Sequence, residues 1–192
     1  GISGLLRIPM AWMREKGAYI DSFTSGRRNV TRHANIFAIL FSVADEKKQE
    51  KILKNVLEND EIPAITTPYF NFFELDVLCR MGKLTEVLDK IRSYWGGMLD
   101  LGAVTFWEEY DPSVPKEEQY DMYGDHFGKS LCHAWAASPI YFLAKYFAGL
   151  DLVNKDGVTY VLKPQMQYFT DLDCTLPVGS DGTVRLAWDG EC

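Results

Sequence analysis

Only four cysteines occur among the 192 residues, and no two of them form a C-x-x-C pair. Cys79, Cys132, Cys174 and Cys192 are too scattered for a disulfide framework or a zinc site. Histidine is scarcer still, with three residues and no H-x-x-H or H-E-x-x-H spacing. No metal site is therefore expected. Positive charge is also short. Lys and Arg number 20 against 27 acidic residues, a net charge of −7, and groupings such as Arg27-Arg28 and Lys47-Lys48 are only pairs. Phosphate backbones require a basic stripe, so nucleic acid is excluded as a partner. No apolar run approaches the roughly 20 residues that cross a bilayer, so no membrane span is expected. GKS at 128–130 lacks the upstream glycine of a phosphate loop.

What the chain does have is apolar and aromatic material. Hydrophobic residues make up 47 % and aromatic residues 14 %, enough for a well-buried core. The chain opens GISGLLRIP without Met or a signal-like segment and closes on TVRLAWDGEC, which reads as a strand just formed. Both ends look cut, and the expectation is a piece of a longer protein whose location is left open.

In order along the chain, residues 5–16 read as a short helix ended by Gly17, followed by a long loop. Thr31 is placed to cap a buried helix over 32–44, and Asp45 to cap an amphipathic one from Glu46 to Asn59. Pro68 suits the first turn of an apolar helix running to Gly82, and Thr85 the start of another amphipathic helix that breaks at Gly96-Gly97. A loop covers roughly 111–128. A last long helix over 129–150 is kinked or restarted at Pro139 and carries His133, with Cys79 and Cys132 as small core residues. From Val158 the pattern turns to short β runs, TYVLKP, CTLPV and TVRLAW. The boundary falls near Asp151–Gly157. The expected fold is mainly α, buried and surface helices alternating in short-linked pairs as two concentric layers over 1–152, with a β segment over 153–192. Too few helices are present to close such a ring. Inner faces bearing Ile36, Phe37, Leu40, Phe72, Leu75, Phe142 and Leu143 would then stand bare.

The stretch that carries chemistry is WGGMLDLGAVTFWEEYD, 95–111, where Trp107, Glu108, Glu109 and Asp111 lie beside Phe106 and Tyr110. Aromatic faces stack on the apolar side of a sugar ring, and a carboxylate accepts a proton from water or a hydroxyl. Without further information the same residues serve as an acidic loop with buried anchors. Asp111, before Pro112, reads as a turn residue.

ITTPYFNFFELDVLCRMGKLTEVLDKIRSYWGGMLDLGAVTFWEEYDP, followed by SLCHAWAASPIYFLAKYFAGL, resembles the bacterial α-L-rhamnosidases of the six-hairpin glycosidase superfamily. The T-x-W-E stretch after a Gly-Ala turn and the S-L-C-H-x-W segment carry the likeness, which covers most of residues 30–190. It implies part of a six-hairpin α/α barrel and the opening strands of the β-sandwich that follows it. It also implies hydrolysis of terminal α-L-rhamnosyl linkages with inversion, without a cofactor, on a rhamnose-containing glycoside or polysaccharide. By this resemblance Glu108 is the general base and His133 a sugar contact. Trp107, Trp135, Tyr69 and Phe70 are candidates for the sugar platform, and Glu109 either supports its neighbour or is a solvated carboxylate. The family's general acid lies in an upstream Asp-x-x-Arg-x-Glu-like motif. No such motif occurs here, so the chain is expected to lack the N-terminal part of the barrel and, alone, to be inactive. A non-catalytic sugar-binding relative and a helical-hairpin scaffold or interaction module are the alternatives.

Overall fold

The computed structural model describes residues 12–22, 24–153 and 159–190. The described chain divides into two compact units. The first holds the described residues up to Thr66 together with Phe70–Val77; the second holds Thr67–Tyr69 and the described residues from Leu78 onward.

The first unit begins with a small antiparallel hairpin, β1 (Trp12–Met13) and β2 (Ala18–Tyr19). The helix expected over 5–16 is corrected here: residues 5–11 lie outside the described residues, and Trp12–Met13 is a strand. Its reason is pairing across a turn closed by Gly17 at φ 58°, with the Trp12 and Tyr19 rings edge to face at 5.0 Å. Helix α1 (Arg32–Leu40) locks onto this hairpin through Asn35. Its Oδ1 accepts from Tyr19 N (2.8 Å), while Nδ2 donates to Tyr19 O (3.0 Å) and Thr31 O (2.8 Å).

Thr31 occupies the N-cap position but its hydroxyl donates to Asp21 Oδ1 (2.6 Å) instead of capping the helix. The helix stops at Leu40 rather than 44 because Ser42 turns left-handed (φ 56°). Ser42 N then bonds Ile39 O and Val43 N bonds Ala38 O, the paired bonds of a Schellman ending. Asp45 caps α2 (46–57) as expected, accepting from Lys48 N at 2.9 Å. The last turn, Leu53–Leu57, widens to i→i+5 bonding. Arg32 and Glu74 form a buried ion pair at 3.0 Å, and Arg32 also donates to Leu57 O.

Helix α3 (Pro68–Arg80) starts at its proline and ends at Gly82 (φ 73°) with the same Schellman bonds, Gly82 N to Cys79 O and Lys83 N to Leu78 O. Helix α4 (84–100) begins one residue before Thr85, with Lys83 as its N-cap. It does not break at Gly96-Gly97; it runs on to Asp100 and ends at Gly102 (φ 91°). Gly97 instead makes room for Tyr110, whose ring carbons would lie 2.6–2.7 Å from an added Cβ.

The expected 129–150 helix is the largest correction. Only α5 (138–147) is helical, with Pro139 in its first turn, where a missing N–H costs nothing. Residues 130–133 are irregular, with bends at Leu131 and Cys132, and pair elsewhere; a single 3₁₀ turn covers Ala134–Ala136, and His133 is extended (φ −125°, ψ 108°). Cys79 is buried, but Cys132 is exposed and is no core residue.

The C-terminal part is β-structured, as its pattern indicated. β3 (Leu150–Leu152) pairs with β4 (Tyr160–Leu162), and β5 (Leu172–Val178) with β6 (Gly182–Trp188), all antiparallel. The expected boundary at 151–157 falls partly on residues 154–158, outside the described residues. In coarse form the order holds, helices first and β-structure last, with β1–β2 ahead of the first helix. Ile36, Leu75 and Phe142 are buried rather than bare, Phe37, Leu40 and Phe72 are half-buried, and Leu143 is exposed. Among the described residues, no helix is long and apolar enough to cross a membrane.

Candidate functional site

The site is built where two irregular loop segments, 105–108 and 130–133, meet in the second unit. Glu108 N donates to Ser130 O (2.9 Å), and His133 N donates to Phe106 O (2.8 Å). The Thr105 hydroxyl bonds Leu131 O beside them. Such backbone pairs set side-chain positions more firmly than an unpaired loop does, because each orphan N–H must find an acceptor. They bring Glu108 and His133, far apart in sequence, to 4.0 Å between Oε2 and Nδ1.

Glu108 is largely buried, at 8 % exposure. Its Oε1 accepts from the Tyr123 phenol (2.8 Å) and its Oε2 from Ser130 N (3.2 Å). Burial pushes its carboxyl up. The Tyr123 and Ser130 hydrogen bonds and the charges of His133 and Lys129 outweigh that push, and the net shift is below the usual carboxylate value. The group is therefore held ionised, which suits a proton acceptor and not a proton donor. The same hydrogen bond raises the Tyr123 phenol, with burial and the charges of Glu108 and Glu109 adding to it. Lys129 is buried, and burial lowers its ammonium against the pull of Glu109, Asp111, Asp121 and Glu108.

The aromatic candidates separate by exposure. Trp135 is 50 % exposed, its ring 4.3 Å from His133 and 5.3 Å from Tyr69, which is 43 % exposed. These three rings form one cluster. Trp107 is only 3 % exposed and packs on Tyr120 at 5.6 Å, so its ring face serves packing. Phe70 packs with His33, Phe37 and Phe73 in the first unit. Asp111 is the turn residue its sequence suggested, accepting from Ser113 N and Oγ. His126 is exposed and contacts Asp121 at 2.5 Å.

Sequence reasoning missed Tyr123, Ser130 and Lys129. Ser130 acts through its backbone, which no residue type advertises. Tyr123 precedes Gly124 in a loop, a turn signal, but nothing in that dipeptide points it toward Glu108. Among the described residues, no group of three or more His, Cys, Asp and Glu side chains could hold a metal ion. No protein-family model matches the chain, and no curated protein sequence matches it.

Proposed function

We propose that this chain carries the general-base side of an inverting glycosidase site acting on terminal α-L-rhamnosyl linkages. The observation that carries the reading is the ionised, two-point-held carboxylate of Glu108 beside His133 and the exposed ring of Trp135. The rhamnosyl specificity comes from the sequence likeness described above. In the proposed reaction Glu108 takes a proton from water, and the water oxygen bonds the anomeric carbon. The glycosidic bond breaks on the opposite face, its oxygen taking a proton from a carboxylic acid about 6.5–9.5 Å away, as in inverting enzymes generally. That acid is assigned to residues beyond these 192, since the family's acid motif does not occur among them. His133 contacts the sugar hydroxyls, and Trp135 with Tyr69 supplies the apolar wall. The helices are read as part of an α/α barrel, supported by the short links 41–45 and 81–83 within successive helix pairs.

Saturation-transfer NMR with free L-rhamnose tests the reading directly. Transfer to rhamnose is expected, lost in Trp135→Ala and weakened in His133→Ala, with D-glucose giving far less. No transfer, or equal transfer from both sugars, overturns it. Hydrolysis of an aryl α-L-rhamnoside is expected only from a polypeptide that joins this chain to the acid. Rhamnose binding there without turnover would instead identify a sugar-binding relative.

A further inference from the structure

Residues 120–129 form an arm folded back on itself. Met122 and Asp125 exchange N–H···O bonds at 3.0 Å in both directions, and the two residues between them, Tyr123 (φ 55°) and Gly124 (φ 82°), are both left-handed. This is a two-residue turn of the type that demands positive φ at both central positions, where Asn or Gly is the ordinary occupant. The arm is pinned at its root. Lys129 N donates to Tyr120 O, and the buried Gln119 donates to Asp111 O (2.6 Å) and Val114 O (2.8 Å). Gly128 lies so close to the arm's strands that a Cβ there would fall 3.1 Å from Met122 C and 3.2 Å from Asp125 Cβ.

A tyrosine in the first left-handed position is therefore a poor choice for the turn, and at 80 % exposure it is no core residue either. The contact that accounts for it is at its tip, where the phenol donates to Glu108 Oε1 at 2.8 Å. We propose that Tyr123 is a positioning residue for Glu108. With Ser130 N–H on Oε2, its phenol fixes the carboxylate plane, so that the lone pairs left over face one direction of water approach. The proposal rests on the reading of Glu108 as the base. It adds the residue that aims it, and backbone strain kept at a site for such a purpose is a recurrent arrangement. The groups facing the carboxylate are Tyr123, Ser130 N–H, His133 and Lys129, while Glu109 acts on Tyr123 and Lys129.

The test titrates the Glu108 side-chain carboxyl by carbon-detected NMR in the chain itself, with Glu108→Gln identifying its resonance. Tyr123→Phe keeps the ring and removes the donor; Tyr123→Asn removes the donor while suiting the turn better. Both variants lose a hydrogen bond to the ionised form, so in both the Glu108 midpoint is expected to move to higher pH. The Asn variant is expected to stay at least as stable as the parent chain. A midpoint unmoved in Tyr123→Phe overturns the proposal. A shift in Tyr123→Asn alone overturns it too, since the turn and not the phenol would then be responsible. A shift in both variants, in a chain that shows no preference for rhamnose, leaves the phenol's hold on Glu108 standing and removes only the assignment of Glu108 as a base.

Discussion

Asn35→Ala removes the side chain that joins α1 to the N-terminal hairpin. Three hydrogen bonds go at once, two of them to the N–H and C=O of Tyr19, a residue only 2 % exposed. Thr31 O is half-buried and can turn to water, but the two Tyr19 groups cannot. An orphaned buried polar group costs about 1–3 kcal/mol, so the pair sets a loss of about 3 kcal/mol. That is a large share of the 5–15 kcal/mol or so that holds an ordinary domain together. At this chain length it corresponds to a fall of about 6–12 °C in Tm. Urea titration followed by circular dichroism measures the loss as a lower midpoint at unchanged slope. Asn35→Asp sharpens the argument. An ionised carboxylate would face Tyr19 O and Thr31 O with no proton to offer, so its folded-state pKa lies above its unfolded one. Stability in that variant is then fullest below the unfolded value and lost as pH rises through the folded one. Its deficit against the parent chain should shrink on acidification. A loss below about 1 kcal/mol for Asn35→Ala, or a deficit in Asn35→Asp indifferent to pH, would refute the reasoning.

In a polypeptide that supplies the acid, Glu108→Gln should lower kcat by about 10²-fold or more with KM nearly kept, and azide should restore turnover as a glycosyl azide of inverted configuration. The amide can repair itself into the site, its oxygen taking Ser130 N–H and its nitrogen donating to the Tyr123 oxygen, so folding should survive. Because the Glu108 carboxyl sits below its usual value, its contribution to stability is present above the unfolded pKa and lost as pH falls through the folded one. The stability gap between the parent chain and Glu108→Gln should therefore close in acid; a gap that widens there would contradict the assignment. Ser42→Gly should stabilise the chain by about 1 kcal/mol in chemical denaturation, since a left-handed non-glycine residue ends α1. Gly97→Ala should cost about 1–3 kcal/mol by forcing the Tyr110 ring off α4, and pairing it with Tyr110→Ala should recover much of that loss.

What could be read from the sequence was local chemistry. Asp45, Pro68 and Gly82 act within a few residues of themselves, and each marks the helix end it was expected to mark. Thr31 and Ser42 were not legible. One hydroxyl chose Asp21 over its own helix, and a serine took the backbone conformation that a glycine would have announced. The stretch SLCHAWAASP was misread for a similar reason. Its small and apolar residues fit a helix, but Ser130 and His133 spend their backbone groups on Glu108 and Phe106, partners more than 20 positions away. Glu108 and His133 were singled out by the family resemblance, and the structure brings them together by a route the helical reading did not contain. Trp107 shows the opposite limit, because residue type alone does not separate an aromatic that stacks on a ligand from one that fills the interior.

The two backbone pairs that join 106–108 to 130–133 have a consequence for how such a site can diversify. They clasp the chain on either side of residues 109–129, so the backbone spacing of Glu108 and His133 is set by the clasp, while of the enclosed segment Tyr123 holds the carboxylate. That segment becomes a cassette. Around 112–118, ahead of the Gln119 anchor, residues can be exchanged or inserted at a cost that rises only with the logarithm of loop length. Descendants of one ancestor could thus vary that stretch while inheriting the carboxylate and the imidazole unchanged.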